Sequence, residues 1–152
     1  MRRMIRLMEA IIVGVDQSET ARRAAFTAAK LASACCKPLH VVMAVNRRPP
    51  VDVSVGGSDR WHLDGISAAE QFLDTLISEL PASSVTRTVS LQDPATALCD
   101  EARRLQASII VVGNRRVKGA ARLLGAVATD VARQAPCDVL IANTTGERPD
   151  EP

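Results

Sequence analysis

Five short apolar runs, separated by segments of helical spacing, constrain the fold more than anything else in this chain. The runs are Ala10 to Val15, Leu39 to Val45, Val85 to Leu91, Ile109 to Val112 and Asp138 to Ala142. Each is too short for a helix. Most are near-continuous Val, Ile and Leu, the pattern of strands buried on both faces. Between them, apolar residues recur every three or four positions. Ala21, Ala24, Ala25, Ala28, Ala29, Leu31 and Ala32 mark the first helix, and Ile66, Ala69, Phe72, Leu73, Leu76 and Ile77 the second. Ala95, Leu98, Cys99, Ala102 and Leu105 mark the third. The resulting order, β-α-β-α-β-α-β-α-β, predicts a parallel sheet with right-handed crossovers and helices on both faces.

Local signals set the boundaries. Asp16-Gln17-Ser18-Glu19 starts the first helix with Ser18 as N-cap. Lys37-Pro38 ends it. Asn46 to Ser58, with two prolines and two adjacent glycines, predicts a loop, followed by a helix over Leu63 to Leu80 that Pro81 stops. Val85 to Leu91 alternates with Thr, Arg and Ser and suits an edge strand with one wetter face. Asp93 caps the third helix with Pro94 at its first position. Val127 to Ala135 predicts the fourth helix, and Pro136 ends it.

With 152 residues, the chain fits one domain, with a core over about 8–144 and a polar tail at 146–152. Met4 and Met8 are alternative starts to Met1, because patterned sequence begins only at Glu9. The chain has two Phe, one Trp and no Tyr, so Ala, Val, Leu and Ile must build the core. That scarcity argues against the stacking platforms of single-stranded nucleic-acid binders. A net charge of +2 gives no whole-surface field for nucleic acid or membrane. The first residues lack a signal-peptide core, and no run approaches the length of a bilayer span. The expectation is a cytoplasmic protein. Cys35, Cys36, Cys99 and Cys137 form no CxxC or Cys/His ligand set, which argues against zinc. All four are expected to act as small apolar residues in a reducing compartment.

The segment with most chemical content runs from Ile109 through Gly113-Asn114-Arg115-Arg116 to Gly125-Ala126-Val127. A buried strand enters a loop rich in glycine and arginine, and a second glycine opens a helix. Backbone amides freed at a glycine turn, followed by a helix N-terminus, make a site for an anion such as phosphate. Basic residues also cluster at Arg2-Arg3-Arg6 and Arg47-Arg48, without that backbone chemistry. In open parallel sheets ligands bind beyond the carboxyl ends of the strands, where strand order reverses. If the first and fourth strands are neighbours, the Asp16 turn and the Gly113 loop line one crevice. Asp16 has two readings at this stage, helix-capping residue or ligand contact. Ser18 reads as a cap and not a nucleophile, since no His/Asp partner is evident. His40 reads as structural or exposed, and His62, beside Trp61, lacks a partner at useful spacing. There is no Walker lysine and no paired carboxylate, so no enzyme is expected.

Five segments in order carry a family resemblance: Ile12-Val13-Gly14-Val15-Asp16 with Ser18, Leu39-His40-Val41-Val42, Asp93-Pro94-Ala95, Val112-Gly113-Asn114-Arg115, and Ala135-Pro136-Cys137-Asp138-Val139-Leu140. From about Met8 to Thr144 the chain resembles the universal stress protein family. The resemblance implies a five-stranded parallel sheet of order 3-2-1-4-5, Rossmann-like, and a homodimer joined through the last strand, here Val139 to Ile141. It also implies two branches, one that binds ATP, AMP or cyclic AMP and one that does not. In the binding branch Asp16, beside Gly14 and Val15, would lie near adenine, ribose or a nucleotide-bound Mg²⁺. Ala44 would face the adenine. The phosphates would lie on Gly113, Asn114, Arg115, Arg116, Gly125, Ala126 and Val127. The family loop runs glycine, two residues, glycine, about nine residues, then Gly-Ser or Gly-Thr. Here Arg116 stands at the second glycine, the interval to Gly125 is one residue shorter, and Ala126 replaces the hydroxyl residue. These departures point to weakened phosphate affinity, or to a homodimeric interaction module that has lost the nucleotide.

Overall fold

A computed structural model describes residues 9–45, 58–114 and 124–144, with the backbone alone described at 58–64. The alternative starts, Arg47-Arg48, Arg115, Arg116 and the polar tail lie outside these residues. The elements run β1 Ile11–Val15, α1 Glu19–Ala34, β2 Leu39–Ala44, α2 Ser58–Glu79, β3 Val85–Ser90, α3 Pro94–Arg104, β4 Ile109–Gly113, α4 Ala126–Gln134 and β5 Asp138–Ala142. The five strands form one parallel sheet of order β3-β2-β1-β4-β5, as the β-α alternation predicts.

Alternation along the central strands sends side chains to two cores. Ile11, Val13, Leu39, Val41 and Val111 pack with the alanines of α1 and with Ala69, Leu73 and Leu76 of α2. Ile12, Val42, Ile110 and Val112 pack with Ala95, Leu98 and Ala102 of α3 and with Ala128 and Val131 of α4. The α1 alanines bring that helix close to the sheet without large side chains. Among the described residues, no helix is long and apolar enough to cross a membrane.

Two helix starts agree with their sequence signals. The Ser18 hydroxyl accepts the Ala21 amide at 3.1 Å. Asp93 Oδ1 accepts the amides of Ala95 and Thr96 at 3.1 and 3.4 Å, with Pro94 at the first position. Helix α2 starts earlier than its apolar stripe suggests, at Ser58 and not Leu63. Ser58-Asp59 is itself a helix-opening pair that the glycines and prolines before it obscured. Trp61 and His62 therefore fall in α2.

The cysteine expectation needs correction. Cys99 is buried and Cys137 half-buried, but Cys35 and Cys36 are exposed. Cys35 caps α1 and Cys36 follows it in the left-handed region, at φ 52°, where the turn carries both off the helix's buried stripe. The same turn closes α3, with Gln106 at φ 49°.

His40 is buried, so the structural reading holds and the exposed one does not. Its Nε2 lies 3.0 Å from Glu101 Oε2 and 3.1 Å from Thr88 Oγ1, and its Nδ1 lies 2.6 Å from Thr86 Oγ1. A carboxylate can only accept, so Nε2 carries the proton and Nδ1 accepts from the Thr86 hydroxyl. This network fastens α3 to the β2–β3 edge. Burial pushes the imidazole below its ordinary pKa, against the opposing pull of Glu101. Arg104, hydrogen-bonded to Glu101, together with His40, holds that carboxyl below its ordinary range. In the unfolded chain His40 takes up a proton near pH 6.5, and in the folded chain only at lower pH. Between those values the unfolded state holds more protons, so His40's contribution is complete above about pH 7 and fades as pH falls through about 6.5. The unfolding free energy should therefore decline as pH falls from about 7 through 6.5, the ordinary range of imidazole. His40→Gln should flatten that slope in urea titrations run across the window; an unchanged slope would exclude His40 as its source.

Candidate functional site

The sheet is not paired evenly along its length. Strands β1 and β4 are in register at Ile11 with Ile109, Ile12 with Ile110 and Val13 with Val111, and their pairing stops there. The residues beyond, Gly14 and Val15 on one strand and Val112 and Gly113 on the other, line a cleft of about 220 Å³. It lies where strand order reverses, the usual ligand position in open α/β sheets.

The cleft gathers most of the residues singled out from sequence. Gly14, Val15 and Asp16 come from the end of β1, Ala44 from the end of β2, Gly113 from β4, and Gly125, Ala126 and Val127 from the start of α4. Residues more than a hundred positions apart in the chain thus share one opening. Asn114 is set apart. Its Oδ1 accepts the Thr144 amide at 2.9 Å and lies 2.6 Å from the Thr144 hydroxyl, which also donates to the Asn114 carbonyl at 2.8 Å. That side chain is committed to the end of β5, and Asn114 is not in the cleft wall. Arg115 and Arg116 lie outside the described residues.

Three helix N-termini face the cleft, from α1 (Ser18, Thr20, Ala21), α3 (Pro94) and α4 (Gly125, Ala126). Their electrostatics differ. Ser18 caps α1 and Asp93 caps α3 with side-chain oxygens, and hydrogen bonds from Thr96 lead the causes that hold the Asp93 carboxyl below its usual range. Gly125, the N-cap of α4, makes no side-chain cap bond. The first amides of a helix have no intrahelical acceptor, and where the N-cap residue offers no side-chain oxygen they can serve an anion. Asp16 Oδ1 accepts the Ser18 amide at 2.8 Å, so the carboxylate shapes the turn into α1 while it borders the cleft.

Sequence reasoning missed several wall residues. Thr20 lies in the first turn of α1, and Val42, Leu98 and Val112 supply an apolar side suited to a flat ring. Strand alternation could have placed Val42 and Val112 on the α3 face, and the short distance from the Ser18 cap could have flagged Thr20. Gly14, which borders the cleft, also has a packing role that the sequence did not announce. A Cβ there would lie 2.8 Å from Leu98 Cδ1, so glycine admits the Leu98 side chain of α3. Among the described residues, no group of three or more His, Cys, Asp or Glu is placed to hold a metal ion.

Fold and cleft define an open, parallel α/β protein with its opening at the switch point of the sheet. The universal stress protein family model matches residues 8–143. Universal stress protein Rv1636 of Mycobacterium tuberculosis (strain ATCC 25618 / H37Rv) is 29% identical over 143 residues, covering 89% of this chain and 96% of the relative. A crystal structure of a universal stress protein in complex with cAMP is 27% identical with a TM-score of 0.68, covering 90% of this chain and 98% of that one. The universal stress protein from Archaeoglobus fulgidus in complex with dAMP superposes at a TM-score of 0.65 with 22% identity, covering 89% and 98% of the two chains. The chain belongs to the universal stress protein family.

The Gly14–Leu98 contact can be tested. Gly14→Ala should destabilise the fold by about 1–3 kcal/mol, the usual cost of overpacking a filled core. Adding Leu98→Ala should make the cost of Gly14→Ala smaller than it is in the parent. Equal costs in both backgrounds, read from urea midpoints, would show that the two residues do not compete for space.

Proposed function

We propose that this protein is an adenine-nucleotide-binding regulator whose ligand occupies the cleft between the β1 turn and the start of α4. The observation that carries the reading is the uncapped N-terminus of α4 opening on the same cleft as Asp16 and Ala44. In this reading the purine lies against Val15, Ala44 and the apolar side of the cleft. Asp16 offers its remaining carboxylate oxygen to a ribose hydroxyl. The phosphate is held by the amides of Gly125, Ala126 and Val127, beside Gly113, with Asn114, Arg115 and Arg116 in the adjoining loop. The cAMP complex of a relative at 27% identity supports this class of ligand.

Affinity follows from the residues at the phosphate end. An alanine at 126 offers no hydroxyl to a charged oxygen, which forgoes about 1.5–3 kcal/mol, or about tenfold to a hundredfold in affinity. The loss bears most on a ligand that depends on a chain of phosphates, which favours AMP or cyclic AMP over ATP. With ATP, Mg²⁺ would be held by its phosphates and by Asp16. The protein works as one domain in the cytoplasm and catalyses no reaction in this proposal. Four cysteines that are all free support a reducing compartment.

A homodimer through β5 is part of the proposal. Strand β5 is at the sheet edge, and Leu140 exposes 38% of its surface there. Pairing with a second copy over Val139 to Ile141 would satisfy that edge and cover the leucine. The same surface serves the second reading, an interaction module that binds no nucleotide, which the alanine at 126 favours.

Calorimetric titration with AMP, cyclic AMP and ATP separates the two readings. The nucleotide reading expects saturable binding, at least tenfold weaker in Asp16→Ala and about tenfold tighter in Ala126→Ser. Absence of heat and of any thermal shift at millimolar nucleotide would leave the interaction module. For the dimer, sedimentation at micromolar concentration should give a two-chain species that Leu140→Glu dissociates, and a monomeric parent protein would refute it.

A further inference from the structure

Thr144 stands just past the end of β5, yet it is 6% exposed and is hydrogen-bonded through its amide, its hydroxyl and its carbonyl. Its amide and hydroxyl both bond to Asn114, the residue that follows β4. The Asn114 amide returns a bond to the Ala142 carbonyl at 3.2 Å, extending the β4–β5 ladder past its last regular pair. The Thr144 carbonyl accepts from Arg23 Nη1 of α1 at 3.3 Å. Packing follows the same line. A Cβ on Gly113 would lie 3.3 Å from the Thr144 methyl and 3.3 Å from the Thr20 methyl, so the two threonines flank the Gly113 backbone. Gly113 and Thr20 are both cleft-wall residues, and Thr144 lies behind them.

We propose that Thr144, clasped by Asn114, is a positioning residue for the ligand cleft, fixing where β4 ends and how close α1 stands to it. The proposal rests on the nucleotide reading above for its ligand, but the device itself is present without one. Three chain segments, α1, the exit of β4 and the exit of β5, meet at this one residue. The cleft exists because β1 and β4 separate, so something must set how far they separate. β1 leads directly into α1 through Asp16 and Ser18, and Arg23 ties α1 back to Thr144. The Asn114–Thr144 pair does the same for β4. A hydroxyl at 144 therefore matters for the width of the opening, and the bonds it makes are directional where a methyl's contacts are not. Only Asn143 separates Thr144 from the end of the edge strand β5, so geometry at the edge is transmitted toward Gly113 through the two hydrogen bonds to Asn114.

The test compares Thr144→Val, which keeps shape and removes the hydroxyl, with Thr144→Ser, which restores it. AMP binding is read by calorimetry and folding by circular dichroism and thermal midpoint. Thr144→Val and Asn114→Ala should bind AMP at least tenfold more weakly, with Thr144→Ser near the parent. AMP affinity unchanged in Thr144→Val would overturn the proposal while leaving the nucleotide reading intact. Should the parent itself bind no nucleotide, the nucleotide reading fails and amide exchange of the unliganded proteins decides. Faster exchange at Gly113 and Asn114 in Thr144→Val, reversed in Thr144→Ser, supports the clasp, and identical exchange in all three overturns it. If Thr144→Val does not fold, Arg23→Gln removes the α1 arm of the clasp and carries the same two readouts.

Discussion

The hydrogen-bonded ladder between β1 and β4 is short, and the rest of the molecule depends on where it stops. Up to Val13 and Val111 the two strands are held in register, with side chains filling both cores. Beyond that pair the chains go to different partners. β1 stays with β2 through Val15 and Met43, and β4 stays with β5 through Gly113 and Ala142. Splitting a sheet exposes backbone donors and acceptors that must find other partners. The structure answers with a cleft, three helix N-termini and the Asn114–Thr144 bonds. The opening is thus a consequence of strand order, since β2 and β5 draw the two strands to opposite halves of the sheet.

Small residues make this arrangement compact. The alanine face of α1 lets the helix sit low over β1 and β4, and Thr20 reaches the Gly113 backbone. On the opposite face Gly14 makes room for Leu98. A larger residue at either glycine would press a helix away from the strand exits. Gly14 and Gly113 therefore serve packing, one on each face of the sheet, before they serve a ligand.

Much of the fold was legible because its signals are local. β-branched runs, the Ser18 and Asp93 caps and the prolines each act within a few residues, and they gave five strands and four helices in the right order. The start of α2 was hidden by a stretch of glycine and proline just before a Ser-Asp pair. The fates of Cys35 and Cys36 depended on a left-handed turn, which residue identity alone does not announce. At the site, strand ends and glycines could be placed because every parallel strand delivers its carboxyl end to the same side. Asn114 could not, because its partner Thr144 is 30 residues away and has no motif. His40 was ambiguous for the same reason, since Thr86, Thr88 and Glu101 come from two other elements.

The difference among the three helix starts bears most directly on chemistry. A capping oxygen and a bound anion compete for the same amides, so a helix cannot use both at once. α1 and α3 are closed by Ser18 and Asp93, and Asp93 carries a negative charge that would repel a phosphate at that start. α4 begins with Gly125, which has no side chain to offer, and Ala126, which has none that can accept or donate. The negative end of a ligand has one compatible helix among these three. An apolar ring would meet Val42, Leu98 and Val112, which come from β2, α3 and β4 and share the cleft. A molecule with a flat apolar body and a single charged group fits that polarity, and the divergence of β1 from β4 is what opens the space for it.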